Sequence, residues 1–315
     1  MKKIDIDDLQ TGDILLLTPP KEFSYISWAI TFLTKSKVSH AAMLYNKEKN
    51  SVVEQVLPKA RFNDLMKFSQ GRKLLVCRFK EYKDPSPVMQ AASSYVDKDN
   101  PYSMKNLYLV GYLLLYKRFT PNTAVKRAMI RILKKIIEHL SDIINEKGQK
   151  PMVCSQFVAQ CHEDAGPKYQ INIIDGVLSQ QDGSVYSVLD LALNKVGEDV
   201  NTPLKAINLT KEKNTQSEEE LCKELYVAFH EQDQSLLKSS PEVSQELLET
   251  VCALAEVHDL YIQLHLGNTT HSDKSLNEKL LILEKDKSLF ITPEDLLNNA
   301  PDLEQVGIIE DLIET

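Results

Sequence analysis

The sequence has few cysteines, few glycines and no long apolar run. Five cysteines in 315 residues are too few for a disulfide scaffold and favour a reducing compartment. Ten glycines form no glycine-rich phosphate-binding loop. No uninterrupted apolar run approaches the ~20 residues of a membrane-spanning helix, and the start MKKIDIDDLQ lacks the apolar segment of a secretory signal. We therefore expect a cytoplasmic protein, with non-classical secretion as the alternative.

The charges are distributed unevenly along a chain of ordinary globular composition, with 43% hydrophobic and 26% charged residues. Residues 1–170 hold 27 Lys and Arg against 17 Asp and Glu, whereas residues 171–315 hold 10 against 28. No arginine follows Arg131. This asymmetry indicates two units that have different partners or attract each other. The alternative is two solvated surfaces of opposite sign.

The basic half shows short apolar segments that predict alternating strands and helices. The pattern predicts strands over residues 12–18, 38–45, 51–57 and 73–79, and helices over residues 23–33, 61–68, 87–96 and 153–165. The polar turn at residues 46–50 makes the second and third of these strands a β-hairpin. We expect residues 1–170 to form one α+β domain.

Residues 107–150 interrupt this domain with a helical insertion, in which a basic amphipathic helix follows a short apolar run. Residues 171–215 are polar and weakly patterned, which is typical of a connection. Helix-start signals then recur at Ser217, Ser240-Pro241 and Thr292-Pro293. They predict an acidic helical domain over residues 216–315.

Three residues of the first half form a candidate catalytic group. His40 lies in an apolar strand, where an imidazole without a hydrogen-bond partner costs about 1–3 kcal/mol. Hairpin pairing makes Glu54 its diagonal neighbour, close enough to fix the tautomer of the ring and raise its basicity. Cys154 is expected at a helix N-terminus, where the pKa of a thiol falls. The three together suit a nucleophilic cysteine, and the N–H groups of the same helix end suit an oxyanion.

Each of these residues also has a plainer interpretation. Alone, His40 is typical of a hydrogen-bonded core histidine, Cys154 of a small buried hydrophobe and Glu54 of a surface charge. Their combination favours the catalytic interpretation. Cys161 and His162 follow on the same helix, but His162 is about 12 Å along its axis from Cys154, too far to activate it. No cysteine and histidine spacing suits a metal, so neither a metal nor another cofactor is expected.

The order of the motifs resembles a known enzyme superfamily. The motifs are GDILL at residues 12–16, SHAAMLY at 39–45, VVEQV at 52–56 and VCSQFV at 153–158. They resemble the permuted NlpC/P60 superfamily, above all its YiiX/YaeF-type amidases, over about residues 10–166. The resemblance implies a circularly permuted papain-like domain with Cys154 as nucleophile, His40 as base and Glu54 as the residue that orients His40.

A further segment, Asn100-Pro101-Tyr102, is similar to the Gly-x-Pro-Tyr-Asp segment of that family. The resemblance implies that Tyr102 assists the oxyanion or lines the substrate pocket. Asn100 and Ser103 depart from the family pattern. The insertion also lengthens the stretch between Tyr102 and Cys154 beyond what is usual in the family.

The resemblance implies a cysteine hydrolase or acyltransferase that cleaves an amide or ester bond through a thioester. Its substrate would be an acyl, lipid or peptide compound. The basic helix within residues 107–140 suits peripheral contact with an anionic membrane, or else a lid or packing helix pair.

Two other functions remain open. One is a non-catalytic interaction protein whose acidic domain docks a protein partner. The other is a deamidase or protease delivered into a host cell. Nothing resembles a nucleic-acid-binding module, so no such partner is expected.

Overall fold

The structure, a computed structural model, describes residues 1–81, 83–102, 152–174, 218–230 and 274–310, and residues 251–252, 255–256, 258–259 and 262–263. The chain divides into two compact units. Unit 1 comprises Met1–Leu107, Met152–Gly176 and Ser288–Thr315, and unit 2 comprises Tyr108–Pro151 and Val177–Lys287. Within the described ranges, no helix combines the length and the apolar character needed to cross a bilayer.

Unit 1 is built on a six-stranded sheet. Its strands are β1 (Ile14–Leu17), β2 (His40–Asn46), β3 (Ser51–Gln55), β4 (Ala60–Asp64), β5 (Leu74–Phe79) and β6 (Leu303–Ile309). Their order across the sheet is β4-β3-β2-β1-β5-β6, and every neighbouring pair is antiparallel. The predicted α+β class is confirmed, whereas the permuted papain-like arrangement stays a prediction.

The described helices of unit 1 alternate with these strands along the chain. They are α1 (Tyr25–Thr34), α2 (Leu65–Ser69), α3 (Ser86–Asp97) and α4 (Cys154–Asp164), with short 3-10 turns at Ile6–Asp8 and Pro167–Tyr169 and a π turn at Asp295–Asn299. Unit 2 contains α5 (Glu218–His230) and α6 (Leu276–Lys285) among its described residues. A further 3-10 turn, Lys287–Phe290, spans the boundary between the units.

Alternating side chains of the strands build a core on each face of the sheet. Ile14 and Leu16 of β1 pack in a cluster with residues of α3 and α4. Leu15 and Leu17 pack on the opposite face with Leu65 of α2. All four residues of β1 are buried because this central strand is covered on both faces.

The helix predicted over residues 61–68 is wrong in its first half. Residues 60–64 form β4, which pairs with β3 along its whole length, and only Leu65–Ser69 is helical. Asp64 ends the strand and caps the helix, because its Oδ1 accepts the N–H of Met66 at 3.0 Å. Pairing with the free edge of β3 outweighs the local helical pattern here.

The helical domain predicted over residues 216–315 is wrong in its last part. Ser288–Thr315 belongs to unit 1, and within it Leu303–Ile309 forms β6 against β5. This strand covers an edge of the sheet that would otherwise be unpaired. The helix start predicted at Thr292-Pro293 is present, since Thr292 Oγ1 accepts the N–H of Asp295 at 3.2 Å.

Several sequence predictions fall outside the described residues. They are the insertion over 107–150, most of the connection over 171–215, and the helix starts at Ser217 and at Ser240-Pro241. The beginning of the connection is described and lies in unit 1. There Asn172 Nδ2 donates to Asp302 Oδ2 at 2.9 Å, and Ile174 N–H donates to the carbonyl of Asn299 at 2.8 Å. The domain of the basic half is therefore completed by the C-terminal segment.

Candidate active site

The β2–β3 hairpin joins His40 to Glu54. His40 is the first residue of β2, and Ala42 lies directly opposite Glu54 in the antiparallel register. Glu54 is thus the diagonal neighbour of His40, as the hairpin predicts. His40 Nε2 donates to Glu54 Oε2 across 2.8 Å. The bond fixes the ring and leaves Nδ1 as the nitrogen available to another partner.

That partner is Cys154, the first residue of α4. The helix begins there because the side chain of Gln156 accepts the N–H of Val153 at 3.2 Å, a capping bond. Helix α4 packs on β2, and the Cys154 thiol lies close enough to the His40 ring for each group to shift the pKa of the other. The structure therefore brings Cys154, His40 and Glu54 into one chain of contacts.

Charges and hydrogen bonds shift the pKa values of Cys154 and His40 in the direction opposite to the effect of burial. Burial raises the pKa of Cys154, but the charge and hydrogen bond of His40, with hydrogen bonds from the main chain of Ala41 and Ser155, lower it overall. Burial likewise lowers the pKa of His40, but Cys154 and then Glu54 raise it to about 9. Both shifts favour a thiolate paired with an imidazolium over a neutral thiol beside a neutral imidazole.

Two residues of β4 hold the Glu54 carboxylate from its other side. Arg61 Nε and Asn63 Nδ2 each donate to Glu54 Oε1 at 2.9 Å. Burial raises the pKa of Glu54, but His40, Arg61 and Asn63 together lower it to about 2. Sequence reasoning missed both residues because it assigned them to a helix. As a strand, this segment places residues 61 and 63 on one face.

The C-terminal segment of unit 1 anchors the first turn of α4. Ser155 Oγ donates to the carbonyl of Ile291 at 2.7 Å, and Gln156 Nε2 donates to the carbonyl of Leu289. Ser288 Oγ donates to Gln160 Oε1 at 2.8 Å. The first two bonds fix the helix end that carries Cys154, and the third holds the next turn. No local sequence signal could have linked residues so distant along the chain.

Tyr102 lies beside the segment that leads into α4. It forms an isolated β-bridge with Met152, and the N–H of Met152 donates to the carbonyl of Pro101 at 3.3 Å. The preceding Asn100 carbonyl accepts the Gln55 side chain at 3.1 Å. The main chain of Tyr102 thus pairs with a residue that lies two positions before Cys154. Its assistance to an oxyanion stays a prediction.

Within the described part of unit 1, Cys77, Cys161 and His162 do not join the group. None of the five cysteines forms a disulfide. Burial raises the pKa of Cys77 to about 12 and that of Cys161 well above its ordinary value. Burial lowers the pKa of His162 to about 4. Among the described residues, no cluster of three or more histidine, cysteine or acidic side chains could hold a metal.

No family model matches the chain, and no curated protein matches it. Any chemistry of the site therefore depends on the contacts among Cys154, His40 and Glu54.

Proposed function

We propose that this chain is a cysteine hydrolase or acyltransferase that cleaves an amide or ester bond through a thioester. The observation that carries the proposal is the contact chain from the Cys154 sulfur through the His40 ring to the Glu54 carboxylate. Buried cysteines without such a partner, such as Cys161, hold a raised pKa. The lowered pKa of Cys154 thus favours a reactive thiol over a purely structural buried side chain.

Acylation begins with the Cys154 thiolate. The sulfur attacks the carbonyl carbon of the substrate, and its electron pair forms the new bond while the carbonyl oxygen takes the negative charge. Main-chain N–H groups of the first turn of α4 stabilise this oxyanion. The oxyanion then collapses to a thioester, and the bond to the amine or alcohol breaks as the His40 imidazolium gives that group its proton.

Deacylation reverses these roles. Neutral His40 removes a proton from water or from an acceptor amine or alcohol, which attacks the thioester carbonyl. The product leaves as an acid, or as the transferred acyl compound, and Cys154 departs as the thiolate beside a protonated His40. Glu54 holds the ring and stabilises its charge throughout.

The chain order of these elements also supports a permuted papain-like enzyme of the NlpC/P60 kind. The strands of His40 and Glu54 precede the helix of Cys154, as the motif resemblance implies. An acyl, lipid or peptide compound is the proposed substrate. The alternative of a non-catalytic interaction protein becomes an outcome of the test below.

The test is activity-based labelling with a panel of acyl and peptide probes, with the adduct site read by mass spectrometry. We expect the wild-type protein to carry a thioester or alkyl adduct on Cys154 and the Cys154→Ser variant to carry none. Cys161→Ser is the matched control, since it removes a buried thiol from the same helix. It should leave labelling unchanged.

Two results would contradict the proposal. One is a wild-type protein in which no probe prefers Cys154 over Cys161. The other is an adduct that survives Cys154→Ser at an undiminished yield. If partner binding is also unchanged by this substitution, the interaction-protein alternative is favoured.

A further inference from the structure

Two arginines lie at the candidate site, and they are held differently. Arg61 donates its Nε to Glu54 Oε1 at 2.9 Å, and its Nη2 lies 2.9 Å from the same oxygen in an ion pair, so a carboxylate balances the charge of Arg61. Arg72 donates its Nε to the carbonyl of Thr18 at 2.6 Å and its Nη2 to Ser39 Oγ at 2.8 Å. Both of these acceptors are neutral, and none of the described ion pairs includes Arg72.

The two residues that accept hydrogen bonds from Arg72, Thr18 and Ser39, lie at the ends of strands next to His40. Leu17 at the end of β1 pairs with His40 on one side and with Leu74 of β5 on the other. Thr18 follows Leu17, and Ser39 precedes His40. The guanidinium is thereby fixed beside the catalytic group by the ends of three adjacent strands, and its side chain is only half-buried.

The charges show that this guanidinium interacts with the reacting group. Burial lowers the pKa of Arg72, and the negative charges of Cys154 and Glu54 oppose this effect. His40 and Arg61 already pair with Glu54, and none of the described ion pairs neutralises Arg72. A half-buried cation that is not neutralised attracts an anion.

The geometry of an arginine side chain suits the binding of an anion. A guanidinium has five N–H donors in a planar fork that matches an oxyanion, and the described bonds of Arg72 use Nε and Nη2 alone. Neutral anchors position the fork without cancelling its charge. An ion pair with a protein carboxylate, as at Arg61, would cancel it.

We propose that Arg72 forms an anion-binding subsite beside Cys154, so that the substrate carries a carboxylate or phosphate group close to the carbonyl that is cleaved. This inference rests on the proposed cysteine chemistry and names its substrate class. Arg72 binds the substrate anion and holds the carbonyl near the sulfur. The alternative is that Arg72 merely ties the three strand ends together.

Two alkylating reagents of nearly equal size separate these roles. Iodoacetate and iodoacetamide both form a bond from the Cys154 sulfur to carbon as iodide leaves, but only iodoacetate carries a negative charge. We expect Arg72→Gln to lower the iodoacetate rate at Cys154 about tenfold more than the iodoacetamide rate. Arg72→Lys, which keeps the charge, should hold the ratio of the two rates within about threefold of wild type.

The matched control is Lys73→Gln, which removes one charge from the next residue, whose side chain is 57% exposed. It should change the ratio less than about twofold. Protection of wild-type Cys154 from iodoacetamide by acetate or by inorganic phosphate, at equal ionic strength, identifies the preferred anion. Should the Arg72 variants fail to fold, added salt must still slow iodoacetate more than iodoacetamide in the wild-type protein.

The outcomes distinguish this inference from the proposed function. An unchanged ratio in folded Arg72→Gln, or an equal loss of both rates, would overturn the subsite and leave Arg72 a structural tie. So would wild-type rates that respond equally to salt. If neither reagent prefers Cys154 over Cys161 in wild type, it is the cysteine chemistry that fails.

Discussion

Helix α4 carries a cysteine near each end, and the two thiols behave oppositely. Cys154 at the N-terminal end contacts His40 and has a lowered pKa, whereas Cys161 has a strongly raised one. Both side chains are buried. Burial alone disfavours a thiolate, so the difference lies in the charged partner that β2 supplies to Cys154 and not to Cys161.

The two histidines near these thiols differ in the same way. His40 is bonded to Glu54 and Cys154, which raise its pKa to about 9 against burial. No described ion pair includes His162, and burial lowers its pKa to about 4 although the main chain of Tyr169 opposes this effect. Sequence proximity of a cysteine and a histidine, as at residues 161 and 162, therefore does not make a reactive pair.

The largest expected effect comes from removing the charged partner of Cys154. In His40→Ala the thiol should revert toward the high pKa that burial imposes on Cys161. We expect the iodoacetamide rate at Cys154 to fall about 100-fold at pH 6, because the thiolate fraction drops more than its nucleophilicity rises. The wild-type rate should rise less steeply with pH between 6 and 8 than the variant rate, because the pKa of Cys154 is lowered in the wild type.

The matched control for this comparison is His162→Leu, which removes the histidine at the other end of α4. Its Cys154 rate should stay within about twofold of wild type, since no described contact joins the two residues. A wild-type rate that climbs about tenfold per pH unit through this range would show that His40 does not activate Cys154.

The next largest effect concerns the free energy of unfolding and its dependence on the protonation of His162. The pKa of His162 is about 4 in the folded protein and near 6.5 when unfolded. The unfolded chain therefore binds more protons between these values, and the folded state loses stability as the pH falls below about 6.5. Between pH 7 and pH 5 this amounts to about 2 kcal/mol.

Urea unfolding of unit 1 at the two pH values measures this loss. In His162→Leu the loss between pH 7 and pH 5 should shrink by about that amount, whereas between pH 7 and pH 8 the two proteins should respond alike. An identical acid sensitivity of both proteins would show that His162 is protonated in the folded state.

The smallest effect tests the residue behind His40. Glu54→Gln keeps an oxygen that accepts the Nε2 hydrogen of His40 but removes the charge that helps to hold the imidazolium. We expect the iodoacetamide rate at Cys154 to fall about tenfold at pH 7, less than in His40→Ala, because the imidazole itself remains. The exposed Glu48 of the β2–β3 turn offers a matched control, and Glu48→Gln should have no effect. Equal rates in all three proteins would remove Glu54 from the group.

The parts of this protein that could be predicted depend on local patterns. The hairpin turn at residues 46–50 sets the register that brings Glu54 to His40. The start of α4 at Cys154 follows from its sequence context. The short strand after Gly12-Asp13 and the strand at residues 73–79 follow from their apolar runs and are present as β1 and β5.

The parts that could not be predicted depend on distant pairing. Arg61 and Asn63 reach Glu54 only because their segment adds to the sheet as β4. Residues after Ser288 have a helix start, yet most of their role is to supply β6 and to hold the first turn of α4. The local pattern of these segments does not reveal which free edge or helix end they will meet.

The sequence by itself determined the short strands, the hairpin register and the helix that starts at the cysteine, because turns, caps and alternation act between near neighbours. Only the tertiary structure decided which cysteine has a lowered pKa. That choice depends on a charge carried by a strand more than one hundred residues away, and on the packing of α4 against β2 that brings the two side chains into contact while excluding water.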